Sequence, residues 1–167
     1  MIHSNRVMAK PGQDLVVFVI GMRINKWTAV HRWLPVFKAM PPMIRELYAN
    51  KNLGFLSLQG SFNLRTITLI QYWESVDQLT SYAKGPQHLK AWNSFYKQAS
   101  KTNAVGIYHE TYVIPAGNYE SVYVNMPSFG LAKALGCETI TKHTQTAKRN
   151  GTDETYVHPN KRKKTNP

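Results

Sequence analysis

His88 stands two residues after Pro86 in the sequence Gly85-Pro86-Gln87-His88, and a proline placed after such a break restarts a helix at its first position. The imidazole then falls in a first helical turn, where the positive helix end favours a neutral ring that could accept a substrate proton or ligate iron. Trp92 follows one turn later. The same placement suits a histidine that only caps the broken helix or packs at its surface. His109 and Glu110 are neighbours in a strand-like stretch, so their side chains take opposite faces and cannot act as one pair within a single cavity. His109 shares a face with Ile107, Thr111 and Val113, whereas Glu110 shares one with Tyr108 and Tyr112, which reads as the more polar and aromatic pocket. Glu110, if buried, could serve as a base, but a salt bridge to Arg23 is the commoner use of such a residue. Arg23 and Asn25 close one strand, and Tyr72 and Trp73 close another, where a cleft could hold a substrate carbonyl or phenolate. Core packing competes for Tyr72, Trp73, Tyr82 and Trp92 alike, because aromatics dominate ordinary cores.

These residues compose one reaction. A base, His88 or Glu110, would take a proton from a bound substrate and Arg23 would hold the resulting anion, with no metal required. Asn25, Tyr72, Trp73, Tyr82, Trp92 and His109 would then bind the substrate, a small hydrophobic molecule. A second chemistry uses haem, with His88 or His109 as the axial ligand, so the expected cofactor is none or haem. A third use is no reaction at all, but a dimeric module that binds a hydrophobic ligand. Other patterns are absent: the sequence has no phosphate-cradling glycine loop, no His-Glu-x-x-His helix, no Gly-x-Ser-x-Gly elbow and no dinucleotide fingerprint. Cys137 has no convincing histidine partner nearby in sequence, so a thiol nucleophile is not expected.

The elements that must position these groups follow from hydrophobic period. Residues 14–22 are apolar at nearly every position, which marks a central strand covered on both faces. Trp33, Val36, Phe37, Met40, Ile44, Leu47 and Tyr48 have helical spacing, and Pro41-Pro42 should break or kink that helix. Residues 54–62 and 66–73 read as a hairpin turning near Asn63, with Phe55, Ser57, Gln59 and Ser61 on one side of the first strand. Ser75 and Gln78 form a capping box that opens a helix through Leu79, Tyr82 and Ala83, and the helix restarted at Pro86 carries Leu89, Trp92, Phe95, Tyr96 and Ala99. A strand from Val105 to about Ile114 and an extra C-terminal strand, Tyr119 to Met126, complete the order. The pattern is α+β, a ferredoxin-like βαββαβ antiparallel sheet with helices on one face. Two helices cover one face only, and the first strand is apolar on both, so the simplest cover for the second face is the sheet of an identical chain. The expected assembly is a homodimer forming a dimeric α/β barrel.

Charge and composition set the boundaries. The net charge is +12, and seven of the 21 Lys and Arg lie from Lys142 onward, ending in Lys161-Arg162-Lys163-Lys164. That stretch has no apolar periodicity, so residues 145–167 are expected to be a disordered basic tail, touching nucleic acid only non-specifically. Residues 1–13 read as an N-terminal arm and 14–144 as one domain with a C-terminal extension. The longest apolar run is too short to span a bilayer, the polar start Ile2-His3-Ser4-Asn5-Arg6 lacks a secretory pattern, and a single cysteine suits a reducing interior. The expectation is a cytoplasmic protein with no membrane partner.

Gln71-Tyr72-Trp73-Glu74-Ser75, followed by Leu79, Tyr82, Ala83, Gly85, Pro86, His88 and Trp92, resembles the strand-to-helix signature of the dimeric α/β-barrel monooxygenase superfamily. Gly21-Met22-Arg23-Ile24-Asn25, Gly106-Ile107-Tyr108-His109-Glu110-Thr111-Tyr112 and Val124-Asn125-Met126-Pro127-Ser128-Phe129-Gly130-Leu131 resemble an uncharacterised monooxygenase-like branch of it. The resemblance implies an aromatic-lined cavity between sheet and helices, used by relatives for aromatic or polyketide substrates or for haem, and it implies an oxygenase-like reaction in which the anion of a phenol-like substrate, formed by His88 or Glu110 and held by Arg23, reduces dioxygen without a cofactor. In haem-degrading members the ligand lies at the position matching Ala91, a departure that counts against haem.

Overall fold

The computed structural model describes residues 2–99 and 102–140; the expected tail at 145–167, with its nucleic-acid contact, lies outside the described residues. In chain order the elements are β1 (Val7–Ala9), β2 (Leu15–Ile24), α1 (Val30–Ala49), β3 (Phe55–Phe62), β4 (Thr66–Trp73), α2 (Val76–Ala83), α3 (Pro86–Ala99), β5 (Val105–Ile114), α4 (Leu131–Leu135) and β6 (Cys137–Thr139). Four strands form an antiparallel sheet in the order β3-β4-β2-β5. β2 is central, with β4 on one edge and β5 on the other, as its unbroken apolar run requires.

Local chemistry sets most element ends. Ser75 Oγ accepts from Gln78 N at 3.2 Å and so caps α2. The Gly85-Pro86 break separates α2 from α3, since proline cannot supply the N–H that would continue the first helix. The break expected at Pro41-Pro42 does not occur: α1 runs from Val30 to Ala49 with Pro35, Pro41 and Pro42 inside it. Burial of Met43 and Leu47 outweighs the lost donors there, as packing of an apolar face generally outweighs local propensity.

The strict alternation expected along β3 also fails, at one point. Phe55 pairs with Trp73 and Ser57 with Tyr72, so a bulge at Leu56 shifts the register. Phe55, Leu58 and Phe62 thereby come to one face, toward the helices, and Ser57, Gln59 and Ser61 to the other. The C-terminal strand is Cys137–Thr139, not Tyr119–Met126; the latter makes single bridges only, Tyr123 to Val7 and Met126 to His3. Ser121 Oγ takes the Ala9 N–H at 2.9 Å, a donor that a longer ladder would need. The stretch read as an arm contains β1, buried and paired with β6.

Two buried clusters hold helices and sheet together: Val16, Leu47, Phe55, Trp73 and Leu79 at one end of β2, and Met22, Ile24 and Val105 at the other. On the opposite face Tyr108 lies across Gly21, and its hydroxyl reaches Thr68 Oγ1 at 2.6 Å. A Cβ at position 21 would stand 2.5 Å from Tyr108 Cε1 and 2.7 Å from Ile67 O. Gly21→Ala should therefore cost about 1–3 kcal/mol through overpacking. Urea denaturation checks this, and a loss below about 0.5 kcal/mol would show that Tyr108 does not need the glycine.

Candidate functional site

Between the two clusters Phe18 and Ile20 are only half-buried, although they sit at the centre of β2, because they face a cavity rather than a helix. The cavity measures about 1180 Å³, above the roughly 300–1,000 Å³ usual for ligand pockets. Its floor is the helix-facing side of the sheet: Phe18, Ile20 and Met22 of β2, Ile67 and Leu69 of β4, and Ile107, His109 and Thr111 of β5. Val36, Phe37, Met40 and Met43 of α1 form one wall, where unbranched methionines can adapt to a ligand's shape. The other wall is the start of α3, where Pro86, His88, Leu89, Ala91, Trp92 and Phe95 turn inward.

His88 lies in the first turn of α3 with its Nδ1 buried and without a hydrogen-bond partner. Its ring stands 6.1 Å from that of Tyr82. The Tyr82 hydroxyl is fixed in turn, donating to Glu46 Oε2 at 3.1 Å and lying 3.4 Å from the Met43 carbonyl, which ties α2 to α1. Burial, and then the neighbouring Glu46 carboxylate, hold this phenol protonated well above its ordinary range. Tyr82 therefore backs the histidine wall and does not itself line the cavity. His109 lies on the floor, its ring 5.7 Å from that of Phe18. Trp92 lines the α3 wall beside Phe95, with ring centres 5.9 Å apart.

The other sequence candidates lie elsewhere. Trp73 is fully buried in the first cluster and donates its Nε1–H to Gln71 Oε1 at 3.0 Å. Tyr72 faces away from α1, α2 and α3, close under Gly130 at the start of α4, and burial raises its phenol pKa, with a smaller contribution from Tyr123. Asn25 holds a loop, donating to the Asn103 carbonyl at 3.0 Å. Arg23 and Glu110 are both exposed and are absent from the cavity lining. They cannot form the expected salt bridge, because Glu110 pairs in register with Val19 and Arg23 with Gly106, four positions or roughly 13 Å along the strand. Glu110 instead accepts from the Tyr112 hydroxyl at 2.6 Å, and this bond raises the Tyr112 pKa. The pocket face of β5 is thus the His109 face and not the Glu110 face.

Sequence reasoning missed Met40, Phe37 and Thr111 as lining residues; the clustered methionine and prolines of α1 were the available signal. It also missed that chain reversal brings His3 Nε2 to 3.6 Å from Cys137 Sγ and 3.1 Å from Ser128 Oγ, at the β1–β6 pair and outside the cavity lining.

Comparison with known proteins agrees with this architecture. The model of a family described as monooxygenase af470-like matches residues 15–131. Monooxygenase af470 of Aspergillus fumigatus is 30% identical over an alignment covering 70% of this chain and 45% of that protein. An aliphatic aldoxime dehydratase of Rhodococcus erythropolis is 29% identical, covering 84% of this chain and 40% of that protein. A crystal structure of an aldoxime dehydratase in complex with butyraldoxime superposes with a TM-score of 0.62 at 19% identity, over 80% of this chain and 39% of that one, a likeness of fold. The chain spans less than half the length of these relatives.

Proposed function

This chain belongs to the monooxygenase af470-like family, and from that premise we propose that it is an oxygenase-like enzyme acting on a small hydrophobic or aromatic molecule held between its sheet and helices. The observation that carries the reading is a large apolar cavity whose lining includes two histidines, His88 on the α3 wall and His109 on the sheet floor. The Nδ1 of His88 is buried without a hydrogen-bond partner, which costs stability. In this reading His88 takes the proton of a phenol-like substrate and His109, on the floor, offers a second polar contact to the anion that reduces dioxygen. The apolar walls exclude water from that step.

A haem reading, with His88 or His109 as axial ligand, is favoured by the size of the cavity. Against it stands the same Nδ1, because a ligating imidazole is ordinarily oriented by a hydrogen bond from its second nitrogen. A binding module without chemistry would use the cavity alone.

The deciding experiment measures oxygen uptake by the purified protein with a panel of electron-rich phenols, with aliphatic aldoximes included because of the dehydratase relatives, in parallel with a haemin titration. Uptake with a phenol in chelator-treated buffer is the expected result. A saturable haem spectrum, with turnover only when haemin is present, would overturn it. We further propose that two copies pair through the sheet face the helices leave bare, where Tyr108, Glu110 and Tyr112 are exposed. No helix among the described residues is long and apolar enough to cross a membrane.

A further inference from the structure

Among the described residues, the ionisable side chains that line the cavity are His88, Lys90 and His109, and no aspartate or glutamate lines it. Glu46 is the only acid in α1, the helix that forms one wall, and it is engaged by the Tyr82 hydroxyl and is not part of the lining. The first turn of α3, Pro86 to His88, lines the cavity and carries no acidic residue, so the positive end of that helix is uncompensated there. The α2 helix, which begins outside the cavity lining, has Asp77 in the corresponding turn. Lys90 and the N-terminal end of α3 are the positive groups at that wall, no carboxylate among the described lining residues opposes them, and a low-dielectric cleft lined by one sign of charge concentrates ligands of the other sign.

We propose that the cavity selects a hydrophobic molecule bearing one ionised oxygen group, a carboxylate or a phenolate. Its charge sits beside the first turn of α3 with His88 and Lys90, and its apolar body lies along Phe18, Ile20 and Met40. This rests on the reading of the cavity as the substrate site and narrows its substrate class. Neutral or cationic molecules of the same shape gain the apolar contacts and lose the charge contact.

The test is displacement of a neutral fluorescent probe, N-phenyl-1-naphthylamine, by matched ligands at pH 7.5. One set is dodecanoate, dodecanol and dodecylammonium; the other is 2,4-dinitro-1-naphthol, ionised at that pH, against neutral 1-naphthol. The expected order is anion tightest, by about tenfold over the neutral partner, with the cation weakest. Lys90 is exposed, so Lys90→Glu should fold normally and should erase the anion's advantage while leaving dodecanol unchanged. His88→Phe should narrow the same gap. The set in which the anion gains more over its own neutral partner tells carboxylate from phenolate. Equal affinity of acid and alcohol would overturn the charge proposal and leave the cavity reading standing. A probe that does not bind would overturn both.

Discussion

Trp73→Ala should remove roughly 3–5 kcal/mol of stability, because it empties the centre of the larger core cluster. Trp73 is 0% exposed and touches the ring systems of Phe55, at 5.5 Å, and Tyr82, at 5.7 Å. The change also strips Gln71 of the indole donor to its Oε1, and Gln71 is itself buried, which adds about 1–3 kcal/mol for an unsatisfied polar group. Against a total of roughly 5–15 kcal/mol, that loss brings the domain close to unfolding at room temperature. Trp73→Phe should lie between, since it restores much of the volume but not the donor. Denaturant titration reads both, with the slope unchanged if the fold persists. A loss under about 1 kcal/mol for the alanine variant would contradict the core role.

His88→Phe should separate stability from function. Replacing the imidazole with an apolar ring of similar shape removes a buried nitrogen that has no partner, so stability should hold or rise by up to about 1 kcal/mol. Turnover of whatever phenol the wild type accepts should fall by about 10²–10⁴, the usual contribution of a positioned acid or base. That combination is characteristic of sites where activity is maintained at a cost in stability. The opposite pattern, a clear loss of stability with turnover intact, would make His88 a helix-start residue and nothing more. Measuring melting temperature and oxygen uptake on the same preparation distinguishes the two.

Much of the fold is legible in the sequence. Ser75-x-x-Gln78 and Gly85-Pro86 are local chemistry, so the limits of α2 and the start of α3 could be read directly. The β5 strand was also found end to end, Val105–Ile114, because its residues alternate without a bulge. In β3 the alternation misled, since one extra residue at Leu56 inverts the face of everything before it and leaves no mark in composition. The proline pair in α1 misled in the other direction, because its penalty is local and the burial that offsets it is tertiary. The strands β1 and β6 are three residues each and pair across almost the whole chain, too short for a period to show and too distant for a turn to announce.

The candidate site divides along the same line. Sequence by itself determined the order of elements, the chemistry available at His88 and His109, and the fact that His109 and Glu110 must part company. Only the tertiary structure decided which of those two faces the cavity. A period of two separates the faces of a strand but is unchanged when they are exchanged; the choice is made by which side the helices cover, and that depends on contacts between α1, α3 and β2 that no single segment contains.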